Sequence, residues 1–194
     1  MKKLLIIGLL IFMVFAIFAE EEEIEEDGNK GFKVGAGFVI SYDINLDSDL
    51  GDFFPLFNFR FGGYIDLNYY FTDWFAIGAE GGMRMMFWNH DSFKLFLFDF
   101  PIRIYPRFDV GMIRLQPYFG WNPRAVAAVV GSSRAFVMIP SVLEVGTKIG
   151  IKKFYVEGSV LIPASKSSKG TESVTSNFLN SKQFRIGLGM AFTF

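Results

Sequence analysis

Gln183-Phe184-Arg185-Ile186-Gly187-Leu188-Gly189-Met190-Ala191-Phe192-Thr193-Phe194 is the stretch whose period decides the fold. Every even position is large and apolar, and every odd position is polar or small. An unbroken period of two describes a β-strand with two unlike faces. The same alternation runs from Phe32 to Leu46, where Val34, Phe38, Ile40 and Ile44 oppose Lys33, Gly35, Gly37 and Asp43. It returns from Phe57 to Phe71 and from Trp74 to Trp88. Contrast is weaker from Leu95 to Tyr105, Ile113 to Trp121, Val137 to Ile151 and Phe154 to Ile162. Eight strands are therefore predicted after Gly31, with no helical period among them.

The composition of the polar face decides which side is the core. Solvated strands carry Thr, Lys and Ser, whereas glycine weakens a strand interior. Here Gly35, Gly37, Gly187 and Gly189 stand beside single charges. Small residues suit the inside of a narrow closed barrel, where they make room for an Arg or Tyr from a neighbouring strand. The Phe-rich face then meets lipid, and closure satisfies every backbone group between strands, as hydrocarbon demands. A tilted strand crosses the hydrocarbon in roughly 9 to 11 residues, a length these segments supply. The expected fold class is all-β, an eight-stranded antiparallel up-and-down transmembrane β-barrel.

Composition agrees and removes other classes. The chain has 194 residues, 51% apolar, with 25 Phe. That excess of apolar material excludes a disordered chain. Nineteen basic against 20 acidic residues leave no surplus for nucleic-acid phosphates. Without cysteine there is no disulfide, thiolate metal site, thiol nucleophile or lipid-anchor cysteine, and His90 alone makes no His-rich metal site. No cofactor is expected.

The N-terminus reads as an address. Lys2 and Lys3 precede an apolar run from Leu4 to Ala19, followed by Glu20, Glu21, Glu22 and Glu23. These are the parts of a secretory signal peptide, with Ala19 small enough for cleavage. The expected organisation is a signal peptide over 1–19, an acidic periplasmic segment over 20–31 and the barrel over 32–194.

Connection lengths and register refine the barrel. Phe71-Thr72-Asp73-Trp74 and Gly150-Ile151-Lys152-Lys153 read as tight turns, while Asp47 to Leu56 and Ala164 to Lys182 are long and polar. Short periplasmic turns and long outer loops are the layout of outer-membrane barrels. Pro106 to Met112 reads as one longer turn on the short side. Antiparallel partners share a constant index sum. Centring each outer hairpin on its loop sets Asp43 opposite Arg60, Glu80 opposite Arg103, Arg84 opposite Asp99 and Gln116 opposite Lys148. The predicted lumen network is Asp43, Arg60, Asp66, Glu80, Arg84, Asp99, Arg103, Arg114, Glu144, Lys148, Glu157 and Arg185. Paired charges of this kind hold a barrel together, and eight strands enclose little more than side chains.

From Gly31 to Phe194 the chain resembles the small eight-stranded bacterial outer-membrane β-barrels, the group that includes the membrane domain of OmpA. The resemblance lies in Tyr69-Tyr70-Phe71-Thr72-Asp73-Trp74-Phe75-Ala76-Ile77-Gly78, in Phe100-Pro101-Ile102-Arg103, in Gln116-Pro117-Tyr118-Phe119-Gly120 and in the alternating end at Phe194. It implies location in the cell outer membrane, with outer-membrane lipid, periplasmic chaperones during export and the barrel-insertion machinery as partners, Phe194 being the insertion signal. An extracellular ligand for the outer loops is compatible with it. Some barrels of this kind remodel lipids with a His and a Ser two positions apart. His90-Asp91-Ser92 has that spacing, but no Glu follows within the next strand, and a nucleophilic Ser needs both base and orienting acid.

Two further stretches bear on function. Ala125-Val126-Ala127-Ala128-Val129-Val130 is apolar on both faces, as either the tall end of a hairpin or a hydrophobic contact surface. Trp74, Tyr69, Tyr70 and Phe75 near one end, with Phe53, Phe54, Phe87 and Trp88 near the other, resemble aromatic girdles at two membrane interfaces. The reading is a non-enzymatic membrane barrel with an ion-pair-filled lumen and a structural or surface-binding role. The alternatives are a narrow channel or apolar-molecule conduit, and a lipid-modifying enzyme.

Overall fold

The computed structural model describes residues 30–46, 59–90, 93–130, 133–139, 142–164 and 182–193. Eleven strand segments make up the described residues: β1 (Gly31–Asn45), β2 (Phe59–Thr72), β3 (Phe75–His90), β4 (Phe93–Asp99), β5 (Ile102–Val110), β6 (Ile113–Trp121), β7 (Arg124–Val130), β8 (Ser133–Ile139), β9 (Val142–Ile151), β10 (Phe154–Pro163) and β11 (Gln183–Thr193). Every pairing is antiparallel, and β1 joins β11 while β2 joins β3, so the sheet closes on itself. The eleven segments form eight staves, because β4 with β5, β6 with β7 and β8 with β9 each continue one stave through a break.

Breaks fall at Phe100-Pro101, at Asn122-Pro123 and between Ile139 and Val142. Proline sets the first two, since it cannot donate to the ladder. The ladder is bridged across them by Gly82 N–H to Pro101 O (3.0 Å), Phe100 N–H to Pro123 O (2.9 Å) and Asn122 N–H to Val142 O (2.8 Å). Trp121 faces Leu143 and Arg124 faces Ile139, so one stave carries an extra residue at the break, as in a β-bulge. Outward parity switches there, from odd Leu143 to even Met138 and Phe136.

The barrel is apolar outside and polar within. Along β2, Ile65 (60% exposed) and Leu67 (50%) alternate with Asp66 (7%) and Asn68 (0%). Packing inside needs glycine at particular points. A Cβ on Gly37 would collide with the Tyr64 ring and Met190 O, and one on Gly189 with the Tyr155 ring. Those two tyrosines pack edge to face, 6.1 Å apart, beside buried Val39.

Three two-residue turns lie at one end: Asp73-Trp74, Gly111-Met112 and Lys152-Lys153. Gly111 takes φ +60°, and Lys152 adopts φ +54°. The connection expected from Pro106 to Met112 is therefore shorter than its sequence suggested. Pro106 lies inside β5, and only Gly111 and Met112 turn. Pro106 and Pro117 both lack an N–H, and the β5–β6 ladder is interrupted between Ile104↔Phe119 and Phe108↔Leu115. An apolar dent of about 460 Å³ overlies this gap, lined by Phe75, Ile77, Ile104 and Phe119 among others.

Of the residues expected to form the girdle, Trp74 and Tyr69 are exposed beside Phe71 and Phe75 at the short-turn end. Tyr70 is a correction: it is 4% exposed and points into the lumen, because alternation puts it opposite in sense to Tyr69. Phe87 is exposed toward the other end. The apolar run at 125–130 is a hairpin arm, β7 paired to β4 and β8. Residues 1–29, Phe53, Phe54, the loop from Ser165 to Ser181 and Phe194 lie outside the described residues.

Candidate functional site: the buried ionic lumen

The lumen is built in tiers from inward positions of all eight staves. Nearest the long-connection end, Asp43 and Asp99 are shared among three arginines. Arg60 Nε lies 2.8 Å from Asp43 and its Nη1 2.7 Å from Asp99. Arg185 donates to Asp43 through Nε and Nη2 at 2.6 and 2.8 Å, and its Nη2 also donates to Asp99 at 2.5 Å. Arg124 completes the group at 3.4 Å from Asp99 and donates to Gln183 Oε1 at 2.7 Å.

The next tier balances three cations against three carboxylates. Arg84 makes a two-pronged contact with Glu157 at 2.5 and 3.1 Å, a geometry that suits planar guanidinium and carboxylate. Arg103 reaches Glu144 at 2.6 Å, Glu80 at 3.0 Å and Glu157 at 3.2 Å, with its guanidinium 4.3 Å from the Tyr118 ring centre. Lys148 pairs with Glu80 and lies 4.1 Å from the Tyr64 ring centre. Below these, Asp66 accepts from Asn68 Nδ2 at 2.8 Å and Tyr105 O–H at 3.1 Å.

The lumen places eleven of the twelve residues named from sequence parity at 7% exposure or less. Arg114 differs: its side chain is 17% exposed and sits at the short-turn end, 3.5 Å from Asp109. Three of the four cross-strand pairs derived from hairpin centring match the observed register: Glu80↔Arg103, Arg84↔Asp99 and Gln116↔Lys148. The fourth is corrected. Arg60 faces Ser41, two positions from the expected Asp43, and still reaches Asp43 diagonally. Register partners also need not be ion-pair partners, since Arg84 faces Asp99 on the backbone but bonds Glu157 across the lumen.

Arg124, Arg107 and Asp109 were missed. Arg124 preceded an apolar run read as projecting outward, and the other two fell in the stretch read as a turn. Parity would have found Arg124, two positions beyond inward Asn122. Among the described residues no group of three or more His, Asp or Glu is arranged to hold a metal ion. His90 ends β3 opposite Phe93, and residues 91–92 lie outside the described residues. Asp99, the nearest later carboxylate, is committed to Arg60, Arg124 and Arg185.

Toward the long-connection end the inward positions become apolar. Met86 faces Leu97 and Leu97 faces Val126, and all three are buried. Ions there give way to a band of side chains without hydrogen-bonding groups.

No protein-family model matches the chain, and no curated protein sequence matches it. Solved structures do. Ail, the attachment invasion locus protein of Yersinia pestis, superposes with TM-score 0.53 at 12% identity over 85% of this chain and 99% of that one. Its complex with the heparin analogue sucrose octasulfate gives 0.54 at 13% identity, covering 85% of this chain and 99% of that one. Neisserial surface protein A gives 0.52 at 14% identity, over 85% of this chain and 98% of that one. The chain therefore has the closed eight-stranded antiparallel barrel fold of these small outer-membrane proteins.

Proposed function

We propose that this chain is an integral protein of the bacterial outer membrane, without enzymatic activity, that acts as a rigid barrel carrying its outer connections to a surface-binding or structural task. The observation that carries this reading is the lumen: five arginines, Arg60, Arg84, Arg103, Arg124 and Arg185, are fully buried among carboxylates. Removing one partner of a buried ion pair costs about 3–5 kcal/mol, so such a column resists opening to water. It braces the wall and leaves no continuous aqueous path.

The apolar exterior and barrel-like neighbours support the membrane location. Outer-membrane lipid is then the surrounding solvent, with periplasmic chaperones and insertion machinery as transient partners and Phe194 as the insertion signal. The staves from β3 to β8 rise past the proline breaks, and exposed Phe136 and Met138 on β8 offer contact area at that end.

Conductance in planar bilayers tests the reading. The purified barrel should give no stable openings, and incubation with lipid A and phospholipid should give no new product by mass spectrometry. Stable single-channel steps would overturn the plugged lumen, and a product lost in His90→Ala would overturn the non-enzymatic role. A second reading, a conduit for apolar molecules, is favoured by the gap at Pro106 and Pro117 with its dent and by the apolar band at Met86, Leu97 and Val126. It requires uptake of an apolar solute into barrel-containing vesicles without ion conductance.

A further inference from the structure

The ion pairs of the lumen balance in the middle tier and not in the tier above it. Arg84, Arg103 and Lys148 meet Glu80, Glu144 and Glu157, cation for carboxylate. Nearest the long-connection end, Arg60, Arg124 and Arg185 share only Asp43 and Asp99. All five of these side chains are fully buried, so the tier keeps one positive charge that no carboxylate among the described residues offsets.

The cluster is compact. Asp43 Oδ2 lies 2.8 Å from Arg60 Nε and 3.6 Å from Arg124 Nη2, while Asp99 Oδ1 lies 2.7 Å from Arg60 Nη1 and 3.4 Å from Arg124 Nε. Two guanidinium groups thus straddle the same two oxygens. Arg185 holds Asp43 Oδ1 and Asp99 Oδ2 at 2.6 and 2.5 Å. Like charges so near one another repel strongly where water cannot screen them.

Unused donors mark where a negative charge is needed. Arg60 Nη2 and Arg185 Nη1 are buried and make no hydrogen bond. A buried donor left unpaired keeps its full desolvation cost. Arg185 Nη1 has Glu144 Oε1 at 4.0 Å, but Glu144 is engaged by Arg103 at 2.6 Å, Ser159 at 3.0 Å and Asn122 at 3.1 Å. Arg124 Nη1 donates at 2.7 Å to Gln183 Oε1, a neutral acceptor.

The surroundings limit what can supply that charge. Leu97 and Val126 are the inward neighbours of Asp99 and Arg124 toward the long connections, and Leu161 lies between Glu144 and Gln183 in the register. All three are buried. Carboxylates of the middle tier close the other side. A deficit of one charge in so enclosed a place suits a compact monovalent anion and excludes a dianion or an anion with an organic body.

We propose that Arg60, Arg124 and Arg185 form a binding site for one small monovalent anion of the halide class, chloride being the form met in ordinary aqueous surroundings. The anion accepts from the unused guanidinium N–H groups and completes the charge balance of the plug. It is enclosed when β1 meets β11, since Asp43 and Arg185 face each other across that seam.

The full chain is refolded from urea into detergent micelles in sodium chloride, sodium bromide or sodium gluconate at equal ionic strength, because an enclosed anion leaves the folded barrel too slowly for dialysis. A ligand held only by the folded state raises stability with its concentration. The urea midpoint of the folded band should therefore be higher in either halide than in gluconate, and should rise as halide replaces gluconate. Two variants should lose this dependence: Arg124→Leu, which removes the surplus cation, and Gln183→Glu, which sets a carboxylate beside Arg124. Gln183→Glu keeps the side chain's size and removes no charge, so it tests the site even where the arginine variant fails to fold. Crystals grown in bromide should show an anomalous peak among the three guanidinium groups, absent in Gln183→Glu. Equal midpoints in halide and gluconate overturn the proposal and leave the donors to ordered water. So does halide dependence retained in Gln183→Glu, or a bromide map without a peak in this tier.

Discussion

Asp43 and Arg185 face each other across the seam where the first strand meets the last, joined by two nitrogen–oxygen contacts of 2.6 and 2.8 Å with both side chains fully buried. The pair thus links barrel closure directly to the ionic lumen. Asp43→Asn leaves Arg60, Arg124 and Arg185 with Asp99 as their nearest full charge. The expected loss is about 3–5 kcal/mol, the range for breaking a buried ion pair. Urea titration of the folded band in detergent-extracted protein reads this as a lower midpoint, and an unchanged midpoint would show that the seam does not depend on the pair.

Gly37 and Gly81 make opposite predictions. Gly37 faces inward where Tyr64 fills the space a side chain would take, whereas a Cβ at Gly81 meets nothing within 4 Å. Gly37→Val should abolish the heat-modifiable folded band. Gly81→Ala should leave it intact or raise stability by about 0.5–1 kcal/mol, through the smaller backbone entropy of the unfolded chain.

Pro106 and Pro117 interrupt a ladder that hydrocarbon requires to be complete. Pro117→Thr restores an N–H facing the gap. A gain of about 1 kcal/mol is expected for one added backbone hydrogen bond. Urea midpoints measure the gain, and slower amide exchange in β5 and β6 locates it. If the gap is instead a passage for apolar molecules, the same variant should reduce uptake.

Arg103 touches Glu80, Glu144, Glu157 and Tyr118. Removing it together with Arg84 empties the central tier of two guanidinium groups. Arg84→Ala/Arg103→Ala should convert a silent barrel into one with intermittent small openings in planar bilayers, accompanied by lower stability. Silence in the variant would assign the block to other residues.

Much of this architecture was legible in the sequence because a strand's period fixes faces without reference to contacts. Parity alone separated Asp66 and Glu80 from Ile65 and Ile77. Register was legible where a hairpin is symmetric about its tip, as for Glu80 and Arg103. The Gln116↔Lys148 pair came out through two offsets that cancel: the tip is centred between Val130 and Ser133, and the extra residue between Ile139 and Leu143 restores the sum. Between β1 and β2 no such cancellation occurs, and Arg60 lands opposite Ser41. Ion-pair partners were less legible than faces. Arginine spans the lumen, so Arg84 chooses Glu157 from the far wall over its backbone neighbour Asp99. Turn length misled at Pro106, where proline was read as punctuation although it occupies a strand that tolerates a missing donor.

The central claim is the assignment of faces, with hydrocarbon against the apolar residues and charges along the axis. Single cysteines placed one at a time from Tyr64 to Tyr69, spin-labelled in lipid bilayers and scored for collision with oxygen and with a water-soluble nickel chelate, test it most directly. Labels at residues 65, 67 and 69 should collide strongly with oxygen, and labels at 64, 66 and 68 weakly with both, giving a period of two. Strong collision of the odd positions with the nickel chelate would put that face in water and contradict the account.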